Sequence, residues 1–332
     1  MTSTSHPDRA EPQTDPRFAV LSQVESTGSL ELEGSVSISY SSYPEPSLTI
    51  VPPGGPVRPP RWDVRDPAVQ TRHNSDGSIW AYSYESGSER WMSVPGIASF
   101  RFGSHGGRVV AVPEPRTPPV SRATIEDAYH RAILPMALQA HGQEVVHASA
   151  VYVEDGVVAF SGRSQTGKST LAYGMHRRGY RVWADDTLVF DASANPVRVI
   201  PYPHRLRIRA EAAAYFDLHE LKRRDSSSWT ALEQAQSEPA PLACVFLLER
   251  VAETSSPVET VRLTPAEAFS GVLEHAYWFR LDPERTRRMI GKYLALATQV
   301  PVFRLRFGTT LDHLPETLDQ VQSVVRRVVT GR

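Results

Sequence analysis

Gly162-Arg163-Ser164-Gln165-Thr166-Gly167-Lys168-Ser169 is the stretch of sequence that decides the fold. It fits the pattern G-x-x-x-x-G-K-[ST] of a phosphate-binding loop, in which backbone N–H groups and one lysine hold nucleotide phosphates. A short apolar run at residues 157–161 precedes the loop, and residues 169–178 have the pattern of a helix that Gly179 ends. Strand, loop and helix therefore come in the order that the motif requires. The alternative is a glycine-rich turn with an incidental lysine.

The charge of a triphosphate indicates what each part of this loop would do. Lys168 would act as a point charge, and the loop amides and the start of the helix would supply further donors. Ser169 would place its hydroxyl on Mg²⁺. The predicted nucleotide-binding residues are Gly162, Ser164, Gln165, Thr166, Gly167, Lys168, Ser169 and Thr170.

Two adjacent carboxylates follow the next short strand, residues 181–184. Asp185 and Asp186 stand at the end of that strand, and a second apolar strand, residues 188–190, comes after them. Neighbouring side chains at a strand end face different sides, so one carboxylate can hold a metal while the other points at a substrate hydroxyl. The alternative is a pair of aspartates that cap a solvated turn.

The run from Gly162 to Asp186, with Arg178-Gly179 before the strand and Ala184-Asp185-Asp186 at its end, resembles the catalytic domain of HPr kinase/phosphorylase and of HPr-kinase-like serine kinases. That family is related in fold to the ATP-dependent phosphoenolpyruvate carboxykinases. The resemblance extends upstream to residues 146–151 and, more weakly, downstream to residues 205–209, 243–250 and 300–305. It covers about residues 95 to 330.

The resemblance implies ATP and Mg²⁺ as cofactors and a role for several residues. Asp185 matches the catalytic aspartate, which takes the proton of the acceptor hydroxyl, and Asp186 matches its neighbour, a metal ligand or a residue that supports one. His147 matches a histidine near that aspartate, although a lone histidine is more often structural. Arg207 and Arg209 lie in an alternating segment where an arginine can stabilise the transferring phosphoryl group. The alternative for both arginines is a solvent-facing strand position.

Two departures from the family pattern stand out. Gln165 replaces the middle glycine of the usual G-x-S-G-x-G-K-S loop, which predicts either a stiffer loop or one shaped for a different nucleotide pose. The glycine-and-arginine signature of the bifunctional enzymes is not recognisable after the aspartates. Its absence argues against a full bifunctional sugar-regulation enzyme.

Composition favours a cytoplasmic enzyme. The chain has 332 residues, of which 40% are hydrophobic, and a net charge of −1, so no global field favours nucleic acid or a membrane surface. Its single cysteine, Cys244, cannot form an internal disulfide, and the first residues have no apolar signal region. The sequence predicts no nucleic-acid partner and no membrane span, and it leaves a homo-oligomer open.

We predict an α/β fold with an HPr-kinase-like phosphate-loop domain, a mixed sheet flanked by helices, and a β-rich N-terminal lobe. The predicted segments are a disordered tail (1–17), the β-rich lobe (18–120) and the kinase domain (121–332). Strand-like segments of the lobe are residues 35–40, 79–84 and 99–102. A helix capped by Thr124, paired with Asp127 three residues on, and ended by Gly142 is expected to dock the lobe. Two more helices are expected at residues 283–299 and 315–329.

Five aromatic residues of the lobe have two interpretations. They are either an acceptor-binding surface or part of the core, which explains alternating aromatics more often. They are Trp62, Trp80, Tyr82, Tyr84 and Trp91.

Together these features predict a kinase that transfers the γ-phosphoryl group of ATP to a serine-type hydroxyl on a peptide or small protein. The wider family includes tailoring kinases that act on precursor peptides. The alternatives are a small-molecule kinase and a nucleotide-binding regulatory module without transfer activity. The intact Lys168, Ser169 and Asp185 argue against the second alternative.

Overall fold

The computed structural model describes residues 46–73, 77–86, 89–103, 107–202, 204, 206–218, 222–224, 227–230, 238–251, 258–277 and 283–330. The predicted tail (1–17) and the predicted strand at residues 35–40 lie outside the described residues.

The described chain is a mixed α/β structure. Its strands are β1 (Ser47–Ile50), β2 (Val69–His73), β3 (Ile79–Ser86), β4 (Glu89–Val94), β5 (Ala98–Gly103), β6 (Arg108–Pro113), β7 (Glu144–Val146), β8 (Ala148–Val153), β9 (Gly156–Ser161), β10 (Arg181–Ala184), β11 (Leu188–Asp191), β12 (Arg198–Ile200), β13 (Leu206–Arg209), β14 (Lys222–Arg224), β15 (Ser227–Thr230), β16 (Ala240–Val251), β17 (Glu259–Arg262) and β18 (Val302–Gly308). Its α-helices are α1 (Arg122–Ala128), α2 (Leu134–Ala140), α3 (Lys168–Arg177), α4 (Ala210–Tyr215), α5 (Pro265–Glu274), α6 (Pro283–Gln299) and α7 (Leu314–Thr330). A π-helical turn (Tyr129–Ile133) joins α1 to α2, and a 3₁₀ turn (Leu311–His313) precedes α7.

The first six strands form one sheet in the order β1-β6-β5-β4-β3-β2. Neighbouring strands are antiparallel except β1 and β6, which are parallel. The strands predicted at residues 79–84 and 99–102 are confirmed as parts of β3 and β5. Their alternating pattern places one face of the sheet in the core.

A second sheet has nine described strands, with the path β10-β8-β9-β16-β12-β11-β7, and with β18 beside β16 and β17 beside β18. β8 runs antiparallel to both β9 and β10, while β16 runs parallel to β9. Strands β9, β10 and β16 therefore end at the same edge of the sheet. That edge carries the glycine loop after β9 and the two aspartates after β10. A separate three-stranded sheet has the order β13-β15-β14.

Helices cover both faces of the nine-stranded sheet. Val158 and Phe160 point into a core cluster with residues of α3 and α7, whereas Val157 and Ala159 point into a cluster with residues of α5 and α6. This alternation is the period-two pattern of a strand buried on both faces. The helix predicted at residues 283–299 is confirmed as α6, and the last helix is one residue longer at each end than predicted.

The helix that was expected to begin with a Thr124 cap is capped by Ser121 instead. The Ser121 side chain accepts a hydrogen bond from the backbone N–H of Thr124 at 3.1 Å, so Thr124 already lies inside the first turn. Serine is the better capping residue, and its position three residues earlier starts the helix earlier.

This helical segment packs against both large sheets. Ile125 and Leu138 share one buried cluster with Phe100 of the first sheet and with Val145 and Val189 of the second. The described β-rich strands and the nine-stranded sheet are therefore joined through a common core.

The five aromatic residues of the lobe divide into two groups. Trp80 and Trp91 are only 4% and 1% exposed, which excludes them from any open binding surface. Trp62 stacks on Tyr82 with ring centroids 5.7 Å apart, and these two side chains and Tyr84 are half-buried. Core packing therefore accounts for the two buried tryptophans.

Within the described ranges, no helix is both long and apolar enough to cross a membrane.

Candidate active site

The glycine loop leaves β9 and leads directly into α3. Gly167 has φ +102° and caps the helix, a conformation in which a side chain would be strained. A Cβ atom on Gly162 would lie 2.8 Å from Thr166 Oγ1 and 3.2 Å from Leu248 Cβ, so this position has no room for one. Thr166 Oγ1 donates to the carbonyl of Arg163 at 2.7 Å and closes the loop on itself. Both motif glycines are therefore required by the shape of the loop.

Gln165 takes the backbone conformation that glycine would take. Its φ is +71°, in the left-handed region, and its side chain is exposed at the tip of the turn beside Ser164. A left-handed residue other than glycine costs roughly 1 kcal/mol. Gln165 thus adopts a positive φ without being a glycine. Thr170 lies in the first turn of α3 and is half-buried.

Lys168 is the first residue of α3 and is buried. Its amine donates to the carbonyls of Gly162 and Arg163, each at 3.0 Å. These bonds place a cationic group inside the loop, next to the positive end of the helix dipole. The lysine therefore lies where the motif would bind phosphate oxygens.

Ser169 joins the loop to the first aspartate. Its hydroxyl donates to Asp185 Oδ1 at 2.8 Å, and Ser149 Oγ on the intervening strand β8 donates to the same oxygen at 2.6 Å. The backbone N–H of Arg207 donates to Asp185 Oδ2 at 2.9 Å. The structure thus brings together Asp185, Ser169 and Arg207, which the sequence predicted, and adds Ser149.

The surroundings of Asp185 shift the pKa of its carboxyl group towards neutral pH. Burial, followed by the negative charge of Asp186, raises the pKa of Asp185 to about 7. The hydrogen bonds from Ser149, Arg207 and Ser169 stabilise the charged form and act in the opposite direction. The balance leaves a carboxylate that can exchange a proton at neutral pH.

His147 contacts the backbone of the second aspartate. Its Nδ1 donates to the carbonyl of Asp186 at 2.9 Å, and the hydroxyl of Tyr277 donates to the same oxygen at 2.9 Å. Asp186 has φ +61°, so both donors hold a residue in the left-handed conformation. The structure therefore places His147 at the aspartate pair, through the Asp186 backbone.

Arg207 is half-buried, and its side chain pairs with a carboxylate from α1. Its Nη2 donates to Asp127 Oδ1 at 3.2 Å, and Arg131 Nη1 lies 3.5 Å from Asp127 Oδ2. Burial and the nearby Arg131 lower the pKa of Arg207 to about 10, so it stays protonated at neutral pH. Arg209, two residues along the strand, is exposed. Of the two arginines, only Arg207 is brought to the aspartates.

Three residues of this site were missed by the sequence analysis. Ser149 follows His147 by two residues in an extended segment, and this spacing on one face was a usable signal. Asp127 and Tyr277 carried no such signal, because their contacts depend on how distant elements pack. Among the described residues, no group of three or more His, Cys, Asp or Glu side chains could hold a metal ion.

No protein-family model matches the chain, and no curated protein matches it. The solved structure of the Hpr(Ser) kinase/phosphatase from Coxiella burnetii is similar to it at a TM-score of 0.28 and 14% sequence identity, over 54% of this chain and 96% of that chain.

Proposed function

We propose that this protein is an ATP- and Mg²⁺-dependent phosphotransferase that moves the γ-phosphoryl group to a serine-type hydroxyl of a peptide or small protein. One observation carries the proposal: Ser169, the last residue of the phosphate-loop motif, is hydrogen-bonded at 2.8 Å to the buried carboxylate of Asp185. A nucleotide-binding motif and a proton acceptor are thereby joined in one site. Both parts are needed for phosphoryl transfer to a hydroxyl.

The loop supplies the phosphate contacts. Lys168 would exchange the carbonyls of Gly162 and Arg163 for β- and γ-phosphate oxygens, and the N–H groups at the start of α3 would donate to the same phosphates. The N–H groups of the loop and helix are fixed before the nucleotide binds, so they need little reorganisation during transfer.

The oxygen donors at the sheet edge fit Mg²⁺. Ser169 Oγ and Asp185 Oδ1 are neighbours, and the Asp186 carboxylate is close enough to raise the pKa of Asp185. Mg²⁺ prefers oxygen ligands and is usually bound by one or two carboxylates together with substrate phosphates. When bound, the ion would neutralise negative charge on the phosphates. Ser169 and Asp186 are the proposed ligands.

Asp185 is the proposed general base. Each carboxylate oxygen has two lone pairs, and Oδ1 already accepts from Ser149 and Ser169, whereas Oδ2 accepts from the Arg207 backbone. Oδ2 therefore keeps a lone pair for the proton of the acceptor hydroxyl. Its pKa of about 7 suits a group that takes a proton late in the reaction and returns it to water.

The remaining proposed roles are those of Arg207, His147 and the acceptor. The Arg207 guanidinium, held by Asp127, would stabilise the transferring phosphoryl group. His147 would act through the Asp186 backbone and keep the aspartate pair in place. A peptide acceptor is proposed because the wider family that the motifs resemble includes kinases that act on precursor peptides.

The proposal is tested by phosphate transfer from γ-labelled ATP. The full-length protein is incubated with Mg²⁺ and, separately, with a serine-containing degenerate peptide library, the same library with alanine for serine, and a mixture of small hydroxyl compounds. We expect label in the serine library alone. Label only in the small compounds would favour a small-molecule kinase. Nucleotide binding without any transfer would favour a regulatory module and contradict the proposal.

Replacement of Ser149 by alanine should move the pH dependence of transfer to higher pH. A base must be deprotonated to accept a proton, so the parental rate should rise as the pH passes about 7. Ser149 donates to the charged form of Asp185, and its loss raises the pKa further, by about one unit for a bond of roughly 1.4 kcal/mol. The measurement is the pH profile of kcat/KM.

Ser161→Ala is the matched control. Ser161 is equally buried, and its hydroxyl donates at 3.0 Å to a backbone carbonyl, that of His147. This variant loses a buried serine hydroxyl without touching Asp185, so its profile should stay parental. Identical profiles for Ser149→Ala and the parent would show that Asp185 is not the titrating base.

A further inference from the structure

The carbonyl of Asp186 is held by two buried donors. The Tyr277 hydroxyl and His147 Nδ1 each donate to it at 2.9 Å, and these two residues are only 3% and 5% exposed. Their rings meet edge to face, with centroids 6.0 Å apart. Two fixed donors on one carbonyl set the orientation of the following peptide plane. They stabilise the left-handed backbone of Asp186, which a side-chain-bearing residue adopts at a cost.

Tyr277 is placed by packing that is independent of the aspartates. It belongs to the buried cluster that contains Val189, Ile200 and Tyr202 as well as residues of the first sheet. The ring is therefore anchored in the core, and its hydroxyl reaches the Asp186 carbonyl.

The two residues shortly before Tyr277 on the chain, Glu274 and His275, contact two other parts of the site. The carbonyl of His275 accepts from the backbone N–H of His147 at 2.9 Å. Glu274 Oε1 accepts from Arg163 Nη2 of the glycine loop at 2.9 Å. Residues 274–277, at the end of α5 and just beyond it, thus contact the glycine loop, the backbone of His147 and the second aspartate.

We infer that Tyr277 is a positioning residue for the metal site: its hydroxyl holds Asp186 in the backbone conformation from which the carboxylate binds Mg²⁺. This inference rests on the proposed function, because it takes Asp186 as a metal ligand. Tyr277 touches neither nucleotide nor acceptor in this scheme. Its effect is expected in the metal dependence of nucleotide binding, before any chemistry occurs.

The test is calorimetric titration of the full-length protein with ADP at a series of Mg²⁺ concentrations. Tyr277→Phe keeps the ring and removes the hydroxyl. We expect it to need about 5- to 10-fold more Mg²⁺ for half-maximal enhancement of ADP binding, the effect of losing the hydrogen bond to the Asp186 carbonyl. ADP binding without Mg²⁺ should be parental.

Tyr293→Phe controls for the loss of a buried tyrosine hydroxyl. Tyr293 is fully buried, and its hydroxyl donates to the carbonyl of Val145 at 2.6 Å, not to Asp186. The unfolding temperature of Tyr293→Phe should be lowered about as much as that of Tyr277→Phe. The Mg²⁺ dependence of its ADP binding should stay parental. Parental Mg²⁺ dependence in both variants would overturn the inference and leave the proposed function standing.

A double variant gives an independent measure. If Tyr277 acts through Asp186, adding Tyr277→Phe to Asp186→Asn should cause no further change in Mg²⁺ dependence. Additive effects would contradict that route and overturn the inference. ADP binding that is insensitive to Mg²⁺ in the parent would remove both the proposed function and the inference, and so is distinguishable from failure of the inference alone.

Discussion

Asp185→Asn is expected to slow phosphoryl transfer by about 10²- to 10⁴-fold, with the affinity for Mg·ATP changed much less. The range is that of a lost general base. Asparagine has the size of aspartate but cannot accept the proton of the acceptor hydroxyl. The measurement is single-turnover transfer of labelled phosphate together with calorimetric titration of ATP, which separates the chemical step from binding.

The fold should tolerate this substitution. The amide oxygen can accept from the Arg207 N–H, and the amide nitrogen can donate to the hydroxyls of Ser149 and Ser169, which rotate to accept. The variant therefore keeps a bonded side chain inside the site. A large loss of transfer would then report chemistry rather than unfolding.

The titration of Asp185 should make the free energy of unfolding depend on pH. Because the pKa of Asp185 is raised in the folded state to about 7, its contribution to stability is present below its ordinary pKa near 4 and is lost as the pH rises through about 7. Asparagine has no such titration. At pH 8 the variant should unfold thermally at the parental temperature or above it, whereas a lower temperature would indicate lost packing.

Asp191→Asn is the matched control for the turn-cap alternative. Asp191 also ends a strand, and its Oδ1 accepts from the backbone N–H of Ser193 at 2.8 Å, a turn-capping bond. This variant should transfer phosphate at the parental rate. If Asp185→Asn also did so, the aspartate after β10 would be a cap as well, and the proposed mechanism would be wrong.

Local pattern predicted the parts of the site that a short stretch of sequence determines. The strand before the glycine loop, the helix after it and the strand before Asp185 were placed within a residue or two. Each depends on apolar periodicity and on a glycine or aspartate at its end, which act over a few residues.

Some contacts of the site depend on the order of the strands in the sheet, which the local sequence pattern does not show. β8 lies between β9 and β10, and this arrangement alone puts Ser149 against Asp185, a residue 36 positions away. Tyr277 reaches Asp186 across 91 positions. Such contacts follow from strand pairing and core packing. A single sequence without an alignment shows which residue types are present but not which of them contact one another.

The helical segment before β7 was also predicted only in part from the sequence. Helical spacing predicted an amphipathic helix ending before Gly142, and that was right, but its cap, its π-helical turn and the partner of Asp127 were not foreseen. Asp127 was interpreted as part of a capping pair with Thr124. In the structure its carboxylate accepts a hydrogen bond from Arg207 Nη2 at 3.2 Å, a contact between residues 80 positions apart.

Lys168→Ala is expected to lower the affinity for Mg·ATP and the rate of transfer together, the affinity by roughly 10²-fold, which corresponds to a charged hydrogen bond of about 2–3 kcal/mol. The amine of Lys168 is the cation inside the loop, and its present partners, the carbonyls of Gly162 and Arg163, are groups it can release to bind phosphate. Calorimetric titration with Mg·ATP measures the first effect, and labelled transfer measures the second.

Two further variants separate charge from packing. Lys168→Met keeps most of the apolar stem of this buried side chain and should lose nearly as much affinity as the alanine variant, since the ammonium group makes the phosphate contact. Lys292→Ala removes another lysine that donates to a backbone carbonyl, that of Gly142 at 3.1 Å, far along the chain from the loop, and should bind Mg·ATP as the parent does. Unchanged ATP binding in a folded Lys168→Ala protein would mean that the glycine loop does not hold the nucleotide, because a phosphate-binding loop without its lysine loses the one full positive charge that the motif brings to the phosphates.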